Sequence, residues 1–185
     1  MKDNKSLTNI YGPKSSSDSS FGARARFLQS WYRKSVLLQD NFGPGPDRES
    51  KTNYGNILVS GEITGSNFLN DDIFEYAKYR LRFLKSGETI KDYRLFNNML
   101  SSQPMCFNLF FPLKRLFEHD HGKAGQILRN CFPELKIENI LAVEIEDLPY
   151  PPKEYLDDLT AFDAMVIYKN SSEEMNILAI ETKYV

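Results

Sequence analysis

Asp163 lies in one apolar run, Ala161 to Tyr168, and the tripeptide Glu181-Thr182-Lys183 lies near the end of the next, Asn176 to Tyr184. Both runs are rich in β-branched, aromatic and aliphatic residues, and the polar stretch Lys169 to Glu174 between them reads as a hairpin loop. Side chains alternate along a strand, so Glu181 and Lys183 share a face with Ile177 and Ala179. Opposed residues of an antiparallel pair have a constant sum, and a loop centred near Ser172 gives roughly 344, which sets Asp163 across from Glu181. Two facing carboxylates repel unless something positive sits with them. Lys183 and a divalent cation both qualify. A few hard oxygen ligands with open positions suit Mg²⁺, and a lysine two residues on could orient or deprotonate an attacking water. The implied chemistry is phosphodiester hydrolysis. In the plainer reading Asp163 is a turn residue and Glu181 and Lys183 form a surface pair. Against it, both strands are apolar on both faces, which reads as a sheet covered on each side, where an unpaired charge is costly.

FDAMVIY followed after a short loop by LAIETKY resembles the D-x(n)-(D/E)-x-K signature of the PD-(D/E)xK nuclease superfamily, the restriction-endonuclease-like fold. Three further stretches, ILVSGEITGSNFLNDDIFEYAKYRLRFL, SSQPMCFNLFFPL and YLDDLTAFD, resemble a bacterial group described as restriction endonucleases within it, so the likeness runs from about Tyr54 to the end. The resemblance implies that Asp163 and Glu181 are metal ligands, that the Thr182 carbonyl is a further ligand and that Lys183 is the catalytic lysine. It implies DNA as the partner and Mg²⁺ as the cofactor, with Mn²⁺ as a substitute. The superfamily often recruits another acidic group from its first helix, and Glu62, Glu75 and Glu146 all qualify as donors.

The common core of that superfamily is a helix, three antiparallel strands, a second helix and a fourth strand. This chain ends at Val185, two residues beyond Lys183, so the expectation is a partial, C-terminally incomplete core. Its last strand would then present an unpaired edge, through which a homodimer could form.

With 185 residues, 41% of them hydrophobic and 13% aromatic, the chain can bury one substantial core. A net charge of −2 argues mildly against a nucleic-acid binder, although local patches matter more than totals. Cys106 and Cys131 have no metal or redox spacing. No signal sequence and no long apolar run is visible, which predicts a cytoplasmic chain with reduced thiols and no membrane partner.

Residues 1–20 are polar and serine-rich and predict a disordered tail. Residues 21–50 predict a basic helix, Phe21 to Gln39, followed by a Gly/Pro linker; Phe27, Trp31 and Leu38 form its stripe, which packs on the core, while Arg24, Arg26, Arg33 and Lys34 supply charge that could meet a phosphate backbone. Residues 51–185 form the nuclease-like domain. Within it Asn70 should cap a helix whose stripe is Phe74, Ala77, Leu81 and Leu84 and which Gly87 stops. Glu75 beside Lys78 suits a solvated face.

Ile90 to Leu100 reads as amphipathic helix broken by Pro104, and Phe107 to Leu113 as dense core leading into a helix through Phe117. His119 and His121 fit a solvent-exposed turn better than an acid–base pair. Gly125 to Cys131 is a short helix, Ile137 to Ile145 a first strand, and Pro149 to Pro152 an extended loop. No repeat, phosphate-binding glycine loop, nucleophile elbow or zinc spacing is present. The expected fold class is α+β, a restriction-endonuclease-like partial core with helices packed on a small antiparallel sheet near 139–146, 161–168 and 176–184. The expected function is that of a metal-dependent DNA endonuclease of restriction or repair type. The alternative is a catalytically silent DNA-binding or partner-binding fragment.

Overall fold

The computed structural model describes residues 2–84, 88–147 and 161–184. The helix stop expected at Gly87 and the loop at Pro149 to Pro152 lie outside them. The described elements are seven α-helices, a short 3-10 turn (Pro133–Leu135) and one antiparallel sheet of three strands, so the class is α+β as the sequence predicts. The chain divides into two compact units. One is Met1–Leu81 with Lys91–Pro104 and Lys183–Val185; the other is Arg82–Ile90 with Met105–Thr182.

The first unit begins with helices α1 (Lys2–Tyr11) and α2 (Ser20–Ser35). The serine-rich composition predicted a disordered tail at 1–20, but tertiary contacts hold a helix there. Arg33 Nη2 donates to the Ile10 carbonyl at 2.8 Å, and the Tyr11 ring meets Phe27 edge-on at 5.3 Å. The chain after α1 also runs against Gly55, where a Cβ would lie 1.8 Å from the Tyr11 carbonyl oxygen, so only glycine allows the approach. Helix α2 is capped by the Ser19 side chain, which accepts from Gly22 N.

The expected packing of α2 is inverted. Phe27, Trp31 and Leu38 are exposed, while Ser30 and Arg33 are fully buried. Arg33 decides this: its guanidinium donates to the carbonyls of Gly55, Gln39, Asn41 and Ile10, lies over the Phe42 ring and so draws its face of the helix inward. The Gly/Pro segment is also packed. Gly43 and Gly45 donate backbone hydrogen bonds to Ile57 and Thr52, and Pro44 bridges Asn53.

Helix α3 (Gly61–Thr64) is a single turn, and α4 (Asp71–Arg82) starts as expected, with Asn70 Oδ1 accepting from Ile73 N. Phe74 and Ala77 of its stripe are buried, but Leu81 is only half-buried and Leu84 exposed. Helix α5 (Asp92–Asn97) completes the unit, and Phe68, Phe74 and Phe96 form an aromatic cluster with centroids 5.7 to 6.0 Å apart.

The second unit contains α6 (Ser102–His119) apart from its first turn, α7 (His121–Cys131) and strands β1 (Ile137–Asp147), β2 (Phe162–Asn170) and β3 (Met175–Ile180) in the order β1-β2-β3. Pro104 does not break a helix; it sits in the first turn of α6, where its missing N–H costs nothing. His119 ends α6 and His121 begins α7, with Asp120 between them capping α7 through Lys123 N, so the His-x-His pair is an exposed helix junction. Ala124 and Leu128 of α7 pack with Ile137, Ile140, Val143, Val166 and Tyr168 on one sheet face. Lys114 ties α6 to β1 by donating to the Val143 carbonyl at 2.9 Å and pairing with Glu144 at 3.2 Å.

Strand β1 does not alternate as expected, because register shifts between Ile137 and Asn139 and between Ile140 and Ala142 each insert one residue. Ile140 and Val143 therefore both reach the core, and Leu141 is exposed. Strand β3 is also not covered on both faces: Met175, Ile177 and Ala179 are exposed and alternate with half-buried Asn176, Leu178 and Ile180.

Candidate active site

Strands β1 and β2 each carry an acidic residue at one level of the sheet, and a third acidic residue, Glu181, directly follows the end of β3. The β2–β3 ladder pairs Met165 with Ala179 and ends on Ala164 with Ile180, which is the register expected from the hairpin loop, so Asp163 and Glu181 are the next residues beyond its last pair. On the other side the β1–β2 ladder pairs Ile145 with Ala164 and Asp147 with Phe162, which puts Glu146 across from Asp163. Asp163 is thus the middle of an acidic row running Glu146, Asp163, Glu181.

The row is not three equivalent strand residues. Strand β3 ends at Ile180, not near 184, because the next backbone donor leaves the ladder: Thr182 N–H and Oγ1 both donate to Asp163 Oδ2, at 2.5 and 2.6 Å. Both partners are buried, at 8% and 9% exposure, whereas Glu181 and Lys183 on either side of Thr182 are exposed. Asp163 therefore holds the signature tripeptide by its middle residue. Glu146 has φ +50, a left-handed conformation that is strained for a residue with a Cβ, and it is 7% exposed beside two further buried residues, Ile145 and Asp147. Backbone strain of this kind persists only where the surroundings impose it.

Helix α6 adds a group that the sequence did not single out. Cys106 is fully buried and its Sγ donates to the Asp163 carbonyl at 2.6 Å. Burial pushes this thiol far above its ordinary range, and the negative charges of Glu146, Asp163 and Glu181 push it further. One thiol thus lies within the field of all three carboxylates. A cysteine among apolar helix residues gave no signal of this, since core cysteines look alike in sequence.

Of the three candidates for an additional acid, Glu146 belongs to the same unit as Asp163; Glu62 and Glu75 belong to the first unit. Glu75 is paired with Lys78 at 2.9 Å on an exposed face of α4, as its spacing predicts. Glu62 faces Arg48 at 3.9 Å. Among the described residues no three His, Cys, Asp or Glu side chains converge closely enough to hold a metal ion in this conformation. The donor chemistry of the row is nevertheless uniform: carboxylate oxygens, with the Thr182 backbone alongside, are the hard ligands that Mg²⁺ or Mn²⁺ takes.

A family model of the PD-(D/E)XK nuclease superfamily matches residues 16–185, and the chain belongs to that superfamily. No curated protein and no solved structure matches it. The superfamily's members are in general nucleases and typically use divalent metals. No described helix is long and apolar enough to cross a membrane.

Proposed function

We propose that the chain is a metal-dependent endonuclease that hydrolyses DNA phosphodiester bonds, of the kind that serves restriction or repair. The observation that supports the reading is the contact of Asp163 with the Glu181-Thr182-Lys183 tripeptide through the two hydrogen bonds from Thr182, just beyond the last pair of the β2–β3 ladder. Asp163, Glu181 and the Thr182 carbonyl would hold Mg²⁺ or Mn²⁺, with Glu146 of the neighbouring strand as a further carboxylate. When bound, the ion supplies charge neutralisation at the scissile phosphate. Lys183, which is exposed, would orient the attacking water as an ammonium group, or take up its proton when it is in the neutral amine form. Without a cation the Asp163 and Glu181 carboxylates would repel the substrate phosphate, so phosphate binding and metal binding would be coupled.

The test is cleavage of plasmid DNA by the purified chain. Cleavage should require Mg²⁺ or Mn²⁺ and stop in chelator, and Lys183→Ala should lower turnover by about two orders of magnitude while DNA affinity changes little. Cleavage that survives chelator or the lysine substitution overturns the mechanism. A second reading, a silent DNA-binding or partner-binding protein, is favoured by the two Thr182 hydrogen bonds that already occupy Asp163 Oδ2. It predicts DNA binding that ignores chelator and no cleavage with either metal.

A further inference from the structure

The first unit contains a cavity of about 330 Å³ that the acidic row does not use. Its walls include Asp18, Arg26, Tyr54, Asn56, Asn98 and Tyr184. Their polar groups are locked in one direction. Arg26 makes a two-pronged pair with Asp18, Nε to Oδ2 at 2.7 Å and Nη2 to Oδ1 at 2.8 Å, and its Nη1 donates to Asn56 Oδ1 at 2.5 Å. That fixes the Asn56 amide, whose Nδ2 must donate, and it does so to Asn98 Oδ1 at 2.9 Å. Asn98 Oδ1 also accepts from Leu100 N at 3.0 Å. The relay leaves Asn98 Nδ2 as its outward end, a donor that meets no acceptor among the described residues.

The charges of Asp18 and Arg26 cancel within the pair, so the cavity favours a neutral ligand. Two aromatic rings line it. Tyr54 is held from one side by the Arg26 guanidinium, 4.7 Å from the ring centroid, and Tyr184 is hydrogen-bonded to Gln29 and 37% exposed. A flat, neutral group with carbonyl acceptors on its edge meets all these features: aromatic walls for its faces and an oriented amide donor for its edge. Tyr184 is also the residue immediately after Lys183, and both belong to this unit.

We propose that this cavity receives a nucleobase, taken from single-stranded DNA or turned out of a duplex, next to the lysine of the nuclease signature. This rests on the reading of the chain as a nuclease. Tyr184 follows Lys183 directly in the chain, so a base held against Tyr184 would tether its strand to the segment that carries this lysine.

Binding is measured in chelator, where no cleavage occurs, by titrating the full chain with a short single-stranded oligodeoxythymidylate and with an abasic backbone of the same length. The base-bearing strand should bind at least about tenfold more tightly, the usual scale of one stacked base. Asn98→Asp keeps both hydrogen bonds that Asn98 Oδ1 accepts but replaces the donor with an acceptor, and should remove most of that preference while the melting temperature stays close to that of the parent. Tyr184→Leu, at the exposed end of the cavity, should do the same. Equal binding of the two strands, or an unchanged preference in both variants, overturns the proposal. Cleavage in Mg²⁺ is scored separately: base preference without cleavage would refute the nuclease reading and leave the pocket, and cleavage without base preference would do the reverse.

Discussion

Thr182 donates two hydrogen bonds to one oxygen of Asp163, from its backbone N–H and from its hydroxyl, and both residues are buried. The contact joins the end of β3 to the middle strand after regular pairing has stopped, and it fixes the middle of the tripeptide while Glu181 and Lys183 face solvent. Removing only the hydroxyl tests its weight. Thr182→Val keeps the volume and the backbone donor, and should lower unfolding free energy by about 2 kcal/mol, the scale of a buried hydrogen bond to a charged acceptor. A double-mutant cycle with Asp163→Asn should show coupling of about 1 kcal/mol or more; additive losses in urea titrations would mean that the hydroxyl contributes little.

Cys106 and Cys131 should differ sharply in reactivity. Cys106 is buried and its thiol is pushed up first by burial and then by the neighbouring carboxylates, whereas Cys131 is exposed. Because only the thiolate attacks, a disulfide reagent at mildly alkaline pH should titrate one thiol in the native chain and two in denaturant. Two fast native thiols would show that α6 does not cover Cys106.

Arg33 should be among the costliest side chains to lose. It is fully buried and bonds to four backbone carbonyls, so Arg33→Met leaves acceptors without donors and should destabilise by about 3 kcal/mol or more. Arg33→Lys should not restore stability, since one ammonium cannot reach acceptors spread over a planar fork. Amide exchange near Ile10 should speed up in both variants. A loss below about 1 kcal/mol in Arg33→Met would show that α1 is held by other contacts.

Acid should weaken the first unit through Asp18. The hydrogen bonds from Arg26, aided by its charge, hold the Asp18 carboxyl below its ordinary value of 3.8 despite partial burial. The folded state thus favours the ionised form. Its contribution is fully present above 3.8 and is lost as the pH falls through the depressed folded value. Asp18→Asn should be less stable than the parent near neutrality, and the gap should close as urea midpoints are followed from about pH 6 to below about pH 3. A gap that stays constant would remove Asp18 as the titrating group.

Much of the second unit was legible because its signals are local. The hairpin register follows from loop length and strand alternation alone, and the pairs from Lys169 with Met175 to Ala164 with Ile180 match it without any tertiary information. The Asn70 cap and the Glu75–Lys78 pair are equally local. What failed did so where a distant partner overrides composition. A polar stretch before the serine-rich run became α1, and Arg33, over twenty residues away in sequence, bonds to its last turn. The stripe of α2 turned outward for the same reason, since one guanidinium with several carbonyl acceptors outweighs three apolar side chains in deciding which face is buried.

The site divides along the same line. The sequence alone determined the register of the β2–β3 hairpin and the candidate residues at its end, because alternation and hairpin closure act over a few residues. Only the tertiary structure decided that β3 stops at Ile180 and that Thr182 binds Asp163. It also gave Glu146 a left-handed backbone and placed a buried thiol within the field of the carboxylates. Those outcomes depend on how strand ends, bulges and a covering helix satisfy buried polar groups together, and no window of sequence contains all the partners.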